Sequence, residues 1–208
     1  MNTLHKSENK KYSYADYLTF PDDVHVEIID GVIYKTYGMS PAPRRFHQEI
    51  SVNLCSIIWT YLKDKKCNIF SAPFDVVFTE KKKNNSEICN VVQPDISIIC
   101  DKNKLDEFGC KGSPDWIIEI LSPATASKDL KEKLKLYEKY GVKEYWIIDP
   151  IDMIVTVFIL INEKYNFVGF YDNQDFLSPT IFTELTIDLA EVFGVERIKK
   201  EVSFNEEK

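Results

Sequence analysis

The sequence predicts an α/β fold, a mixed central β-sheet flanked by helices, on three observations. Segments rich in Val, Ile, Phe and Tyr alternate with two substantial amphipathic helical patterns. Residues 116–121 are apolar on both faces of a strand except at Glu119, as expected of a central strand covered on each side. The 208 residues suffice for one domain with a sizeable core.

In chain order, residues 13–19 read as a short helix. VHVEIIDGVIYKTY then reads as a β-hairpin turning at Asp30-Gly31, a pair that accepts the positive φ angles of a two-residue turn. A long helix is expected over 43–64. At about 100° per residue, Ile50, Leu54, Ile57, Ile58 and Tyr61 share one arc, and His47 falls inside it. Val52 and Trp59 form a second apolar patch, suited to packing under the strands after Asp149 or to pairing with a second copy in a homodimer. Strands follow at CNIF, FDVVF, VVQPDISIIC and DWIIEIL, the last two joined by the loop DKNKLDEFGCKGSP. A second helix is expected over 127–140, stopped by Gly141. KEYWIIDP and MIVTVFIL make a further strand pair, followed by KYNFVGFY. The expected organisation is one domain over 12–200, with 1–11 and 201–208 as mobile ends.

Composition narrows the function classes. The chain is 44% hydrophobic and 28% charged, an ordinary soluble globular balance. No run approaches the roughly eighteen apolar residues of a membrane span, and the lysine-rich N-terminus is unlike a secretory signal. Cys55, Cys67, Cys89, Cys100 and Cys110 are odd in number and without CxxC spacing, so they read as reduced thiols of a cytoplasmic protein. A net charge of −7 argues against a protein that coats nucleic acid, yet allows a local basic groove. The lysines at 63, 65, 66 and 81–83 read as solvated loops and helix ends.

Two carboxylates stand out. Strand alternation puts Trp116, Ile118 and Ile120 on one face and Ile117, Glu119 and Leu121 on the other, so Glu119 interrupts an apolar face. An ionised carboxylate is costly to bury without partners. Asp95 opens the apolar run of QPDISIIC, just after a proline that interrupts strand pairing. Each has a structural alternative: Asp95 as a strand-end residue, Glu119 as the partner of a buried Arg or Lys. Together, on neighbouring strands, they suit Mg²⁺ or Mn²⁺, which take hard oxygen ligands. His and Cys show no zinc spacing, and P-loop, GxGxxG and GxSxG motifs are absent.

The second helix supplies a lysine. Lys128, Lys131, Glu132, Lys135, Glu138 and Lys139 occupy its polar face, and Leu130, Leu134, Leu136, Tyr137 and Tyr140 its apolar face. Asp129 and Lys133 break this pattern together, one turn apart. They read either as an internal ion pair or as a lysine aimed at the carboxylates of the preceding strand.

Pro94-Asp95 followed by Glu119 resembles the PD-(D/E)xK nuclease superfamily. The ordered series EIIDG, FHQEIS, QPDISIIC, PDWIIEILSPAT and KDLKEKLKLYEKYGVKEYWIIDP resembles more closely the Uma2 family of endonucleases, whose chemistry is itself assigned by analogy. The resemblance covers about residues 12–160. It implies a restriction endonuclease-like core, DNA as substrate, Asp95 and Glu119 as metal ligands, and Glu27 assisting. His47 matches a histidine that the family often carries near the site, and Asp129 stands as an accessory beside the lysine. The lysine position of the superfamily motif is Leu121 here; the family resemblance implies that the catalytic lysine has migrated to Lys133. The alternative is a nuclease fold kept as a nucleic-acid- or protein-binding module without catalysis.

Overall fold

The first hairpin pairs β1 (Val26–Ile29) with β2 (Val32–Lys35) in antiparallel register, and Asp30 and Gly31 turn it with φ angles of 48° and 81°. Both angles lie in the left-handed region that a tight hairpin turn demands. The computed structural model describes residues 10–21, 24, 26–35, 45–79, 83–122 and 129–198. Expectations for 1–9, 199–208 and the first residues of both long helices lie outside them. Helix α1 (Tyr14–Tyr17) begins at a reciprocal cap: Ser13 and Asp16 each accept from the other's backbone N–H.

Helix α2 (Arg45–Leu62) buries Ile50, Leu54, Ile58 and Leu62, one residue per turn. Val52 and Trp59 are 63% and 57% exposed, so they do not pack under the later strands. The strands after α2 are β3 (Asn68–Ser71), β4 (Asp75–Val77), β5 (Val91–Val92), β6 (Ile96–Ile99), β7 (Gly109–Lys111) and β8 (Trp116–Ile120). A π-helical turn, Asp129–Lys133, leads into α3 (Leu134–Tyr140), capped by Gly141 in the left-handed conformation. Then come β9 (Glu144–Asp149), β10 (Ile154–Ile161), β11 (Lys164–Asp172), β12 (Phe176–Leu177), β13 (Ile187–Asp188) and α4 (Leu189–Phe193).

These strands build mixed sheets flanked by helices. A six-stranded sheet runs β11-β10-β9-β8-β6-β3, with β8 and β9 parallel and the other pairs antiparallel. A five-stranded sheet runs β2-β1-β5-β4-β7, and β12 pairs with β13. Side chains of α2 and α4 pack on one face of the larger sheet, against Ile98, Trp116, Ile118 and Trp146. Its other face contributes Ile117, Tyr145 and Ile147 to a second core with Val76 and Val92 of the smaller sheet and Leu136 and Tyr137 of α3. The alternation read for residues 116–121 therefore holds, and Glu119 points into the second core.

Four expectations need correction. The stretch 91–100 is not one strand: β5 belongs to the smaller sheet and β6 to the larger, and the chain crosses between them at Gln93-Pro94-Asp95. Proline, without an N–H, marks the crossing. The loop 101–114 is not without structure: it contains β7, which joins the smaller sheet. Residues 173–198, given no elements from sequence, hold β12, β13 and α4, whose cap Asp188 accepts from the Ala190 N–H. Finally, Cys67 and Cys100 are not reduced thiols but a disulfide, directly across the end of the β3–β6 ladder. Cys55, Cys89 and Cys110 are free thiols.

Candidate active site

Glu119 is 2% exposed on β8, and α3 crosses the face from which it projects. The π-helical turn ends on Lys133, and Tyr137 follows one turn later on the same face. Both donate to a single oxygen: Lys133 Nζ lies 2.7 Å and the Tyr137 hydroxyl 2.6 Å from Glu119 Oε1. The same ammonium stands 3.0 Å from Glu27 Oε1 on β1. Glu27 Oε1 also accepts the Gln93 N–H at 2.9 Å. One buried lysine is thus shared by two buried glutamates from different sheets.

Asp95 sits where the chain enters the larger sheet. Ile96 faces Ile118 in the β6–β8 register, so continuing that register by one residue sets Asp95 opposite Glu119. Its Oδ2 accepts the Ile120 N–H at 2.7 Å, replacing a ladder carbonyl. Its Oδ1 lies 3.3 Å from His47 Nε2 on α2. A recess of about 190 Å³ opens here between α2 and the end of β3, lined in part by His47, Gln48, Ser51 and Asp95.

The crossing residue Gln93 extends the network outward. Its Nε2 donates to Asp75 Oδ1 at 2.8 Å, and the Tyr17 hydroxyl donates to the same oxygen at 2.8 Å. Burial, reinforced by Asp75, raises the Tyr17 hydroxyl above its ordinary range. Burial likewise raises the Tyr137 hydroxyl well above its ordinary range, and the Glu119 charge adds to it. Both hydroxyls therefore remain proton donors over the whole working pH range.

Glu27, Glu119 and Lys133 are brought into direct contact, with Asp95 and His47 paired beside them. The Asp129 side chain lies outside the described residues. Sequence reading missed Tyr137 and Gln93. Tyr137 carried a usable signal, a phenol four residues after the anomalous lysine. Gln93 carried none, because its role comes from the sheet crossing.

Among the described residues no group of three or more His, Cys, Asp or Glu side chains is arranged to hold a metal ion. Two carboxylates with water and substrate oxygens nevertheless match the way Mg²⁺ is commonly bound. The oxygen donors present are of the kind such an ion takes. Among the described residues no helix is long and apolar enough to cross a membrane.

Known proteins place these features in a family. A crystal structure from Anabaena variabilis, described as "a putative nuclease belonging to DUF820", superposes with a TM-score of 0.68 at 22% identity. The match covers 88% of this chain and 98% of that one, and shows that the two share a restriction endonuclease-like fold. "Uncharacterized protein slr1290" of Synechocystis sp. (strain PCC 6803) is 28% identical over 111 residues. That alignment takes in 53% of this chain, and the chain spans about half (53%) of that relative's length. The model of the Uma2 family, described as "Putative restriction endonuclease", matches residues 13–190. With the match running from the cap of α1 into α4, the chain belongs to the Uma2 family.

Proposed function

We propose that the chain is a metal-dependent endonuclease that hydrolyses phosphodiester bonds of DNA. The observation that carries this reading is the shared ammonium: Lys133 within 3.0 Å of Glu27 and 2.7 Å of Glu119, all three buried. As a device for stability alone such a network is a poor choice, since apolar replacements of a buried ion triad are often neutral or stabilising. Clustered buried charge, near a recess that Asp95 helps to line, suits chemistry.

Asp95 and Glu119 would hold Mg²⁺ or Mn²⁺, which when bound polarises a phosphoryl oxygen and acidifies a water molecule. The Ile120 N–H fixes one oxygen of Asp95, and His47 orients the other. Lys133 supplies positive charge where negative charge builds on the phosphate. Glu27, anchored by the Gln93 N–H, keeps that ammonium at the site. The recess beside His47 and Asp95 gives the scissile phosphate its approach.

The test combines a thermal shift with plasmid nicking. Mg²⁺ or Mn²⁺ should raise the wild-type Tm, because the ion binds only the folded state, and supercoiled DNA should be nicked. Glu119→Gln should lose most of both effects. An equal thermal rise in wild type, Asp95→Ala and Glu119→Gln would remove this site from consideration.

A second reading, a nuclease fold that binds DNA or protein without cleaving, draws on one observation: Glu119 Oε1 is already engaged by Lys133 and Tyr137. It predicts DNA retention in a gel-shift assay with no nicking in any divalent ion.

A further inference from the structure

Tyr137 does two separable things. Its ring packs edge-on against Tyr145, with centroids 5.0 Å apart, and near Phe78 at 5.7 Å. Its hydroxyl, in a fully buried side chain, donates to Glu119 Oε1 at 2.6 Å. Phenylalanine would serve the packing equally well, so the oxygen marks a second task.

An oxygen of an ionised carboxylate has about two lone-pair positions. Here Lys133 and Tyr137 address the same oxygen from successive turns of one helix. If Lys133 is to stabilise a phosphate, it must turn from Glu119 toward the substrate, removing one donor from a buried carboxylate. Such a loss is costly unless another donor stays. The Tyr137 hydroxyl, already donating to that oxygen at 2.6 Å, can serve as that donor.

We infer that Tyr137 is a positioning residue: it holds Glu119 through Oε1 so that Lys133 can turn from the carboxylate to the phosphate. This rests on the nuclease reading above. Tyr137 touches neither substrate nor metal in this scheme and acts only through Glu119. Its removal should therefore weaken the metal site and slow turnover while sparing affinity for DNA.

Tyr137→Phe tests this against Tyr165→Phe, which removes another hydroxyl of the same core, one that donates to the Val142 carbonyl at 3.0 Å away from the site. Mn²⁺ affinity is measured by electron paramagnetic resonance, and kcat and KM on an oligonucleotide duplex. For Tyr137→Phe the half-saturating Mn²⁺ concentration should rise about tenfold and kcat per folded molecule fall about ten- to a hundredfold, with KM for DNA unchanged. Tyr165→Phe should stay within about twofold of wild type in both. Equal losses in the two variants, or wild-type Mn²⁺ affinity in Tyr137→Phe, overturn the inference. A wild type that binds Mn²⁺ and cuts no DNA refutes the nuclease reading, while the Mn²⁺ affinities still decide the role of Tyr137. A wild type that binds no Mn²⁺ overturns both. A further measurement needs no Tyr137 variant: in ¹³C-tyrosine-labelled wild type, Mg²⁺ should leave the Tyr137 Cζ resonance at its hydrogen-bonded position. Its movement to a non-bonded position would overturn the inference even if Tyr137→Phe failed to fold.

Discussion

Replacing Lys133 by Met removes an ammonium that Glu27 and Glu119 share. The two Oε1 atoms lie 3.0 and 2.7 Å from the same nitrogen. They therefore stand no more than about 5.7 Å apart, and at an effective dielectric constant near 20 their repulsion is at least about 3 kcal/mol once the ammonium is gone. Removing one partner from a buried ion network generally costs about 3–5 kcal/mol, against a total domain stability of about 5–15 kcal/mol. We expect Lys133→Met to be destabilised by about 3–5 kcal/mol at pH 8 in urea denaturation. That loss should shrink as the pH falls, because protonating either carboxylate relieves the repulsion that the lost ammonium had offset. Adding Glu27→Gln removes the repulsion, so Glu27→Gln/Lys133→Met should be more stable than Lys133→Met alone. Turnover, measured on the folded fraction, should stay two to three orders of magnitude down in both, on the scale of about one preorganised charge. A Lys133→Met protein within about 1 kcal/mol of wild type at pH 8 would refute the network energetics. Wild-type cleavage by it would refute the mechanism.

Other outcomes can be checked on the same preparation. Glu144 is buried beneath Thr180 and Trp146, and burial raises its carboxyl above the ordinary 4.5. Its contribution to stability is complete below that value and is lost as the pH rises through the raised one. Wild type should thus lose Tm relative to Glu144→Gln from pH 4.5 upward; a constant difference would refute the assignment. Cys67→Ser opens a loop of 33 residues and should cost about 3–4 kcal/mol under oxidising conditions and little in reductant, with equal losses in both counting against the pairing. Val52 and Trp59 lie exposed on α2 and form the face by which we propose that two copies pair. Light scattering at micromolar concentration should then find a dimer that Trp59→Arg dissociates, and a 24.2 kDa species alone would end that proposal.

Local rules made much of the molecule legible. The Asp30-Gly31 turn, the buried stripe of α2 and the two faces of β8 each follow from a period that short segments obey. Lys133 was legible for the opposite reason: it broke the helical pattern, and only a buried anion would compensate. What stayed hidden depended on pairing between distant segments. No local rule says that Val92 and Ile96, four residues apart, join different sheets. Nor does one say that Cys67 meets Cys100, because that follows from the β3–β6 register. The C-terminal elements are two-residue strands and a five-residue helix, too short for a periodicity to emerge.

The crossing at Gln93-Pro94-Asp95 gives the site two spectroscopic probes of its own. The Gln93 amide points at Glu27, and the Ile120 amide at Asp95. An amide proton's resonance follows the charge on the oxygen it faces, so each carboxylate carries a separate nuclear-spin label in the unmodified backbone. A titration with cation or acid followed at these two signals would resolve the two glutamate and aspartate sites individually, in the native protein and without a single substitution.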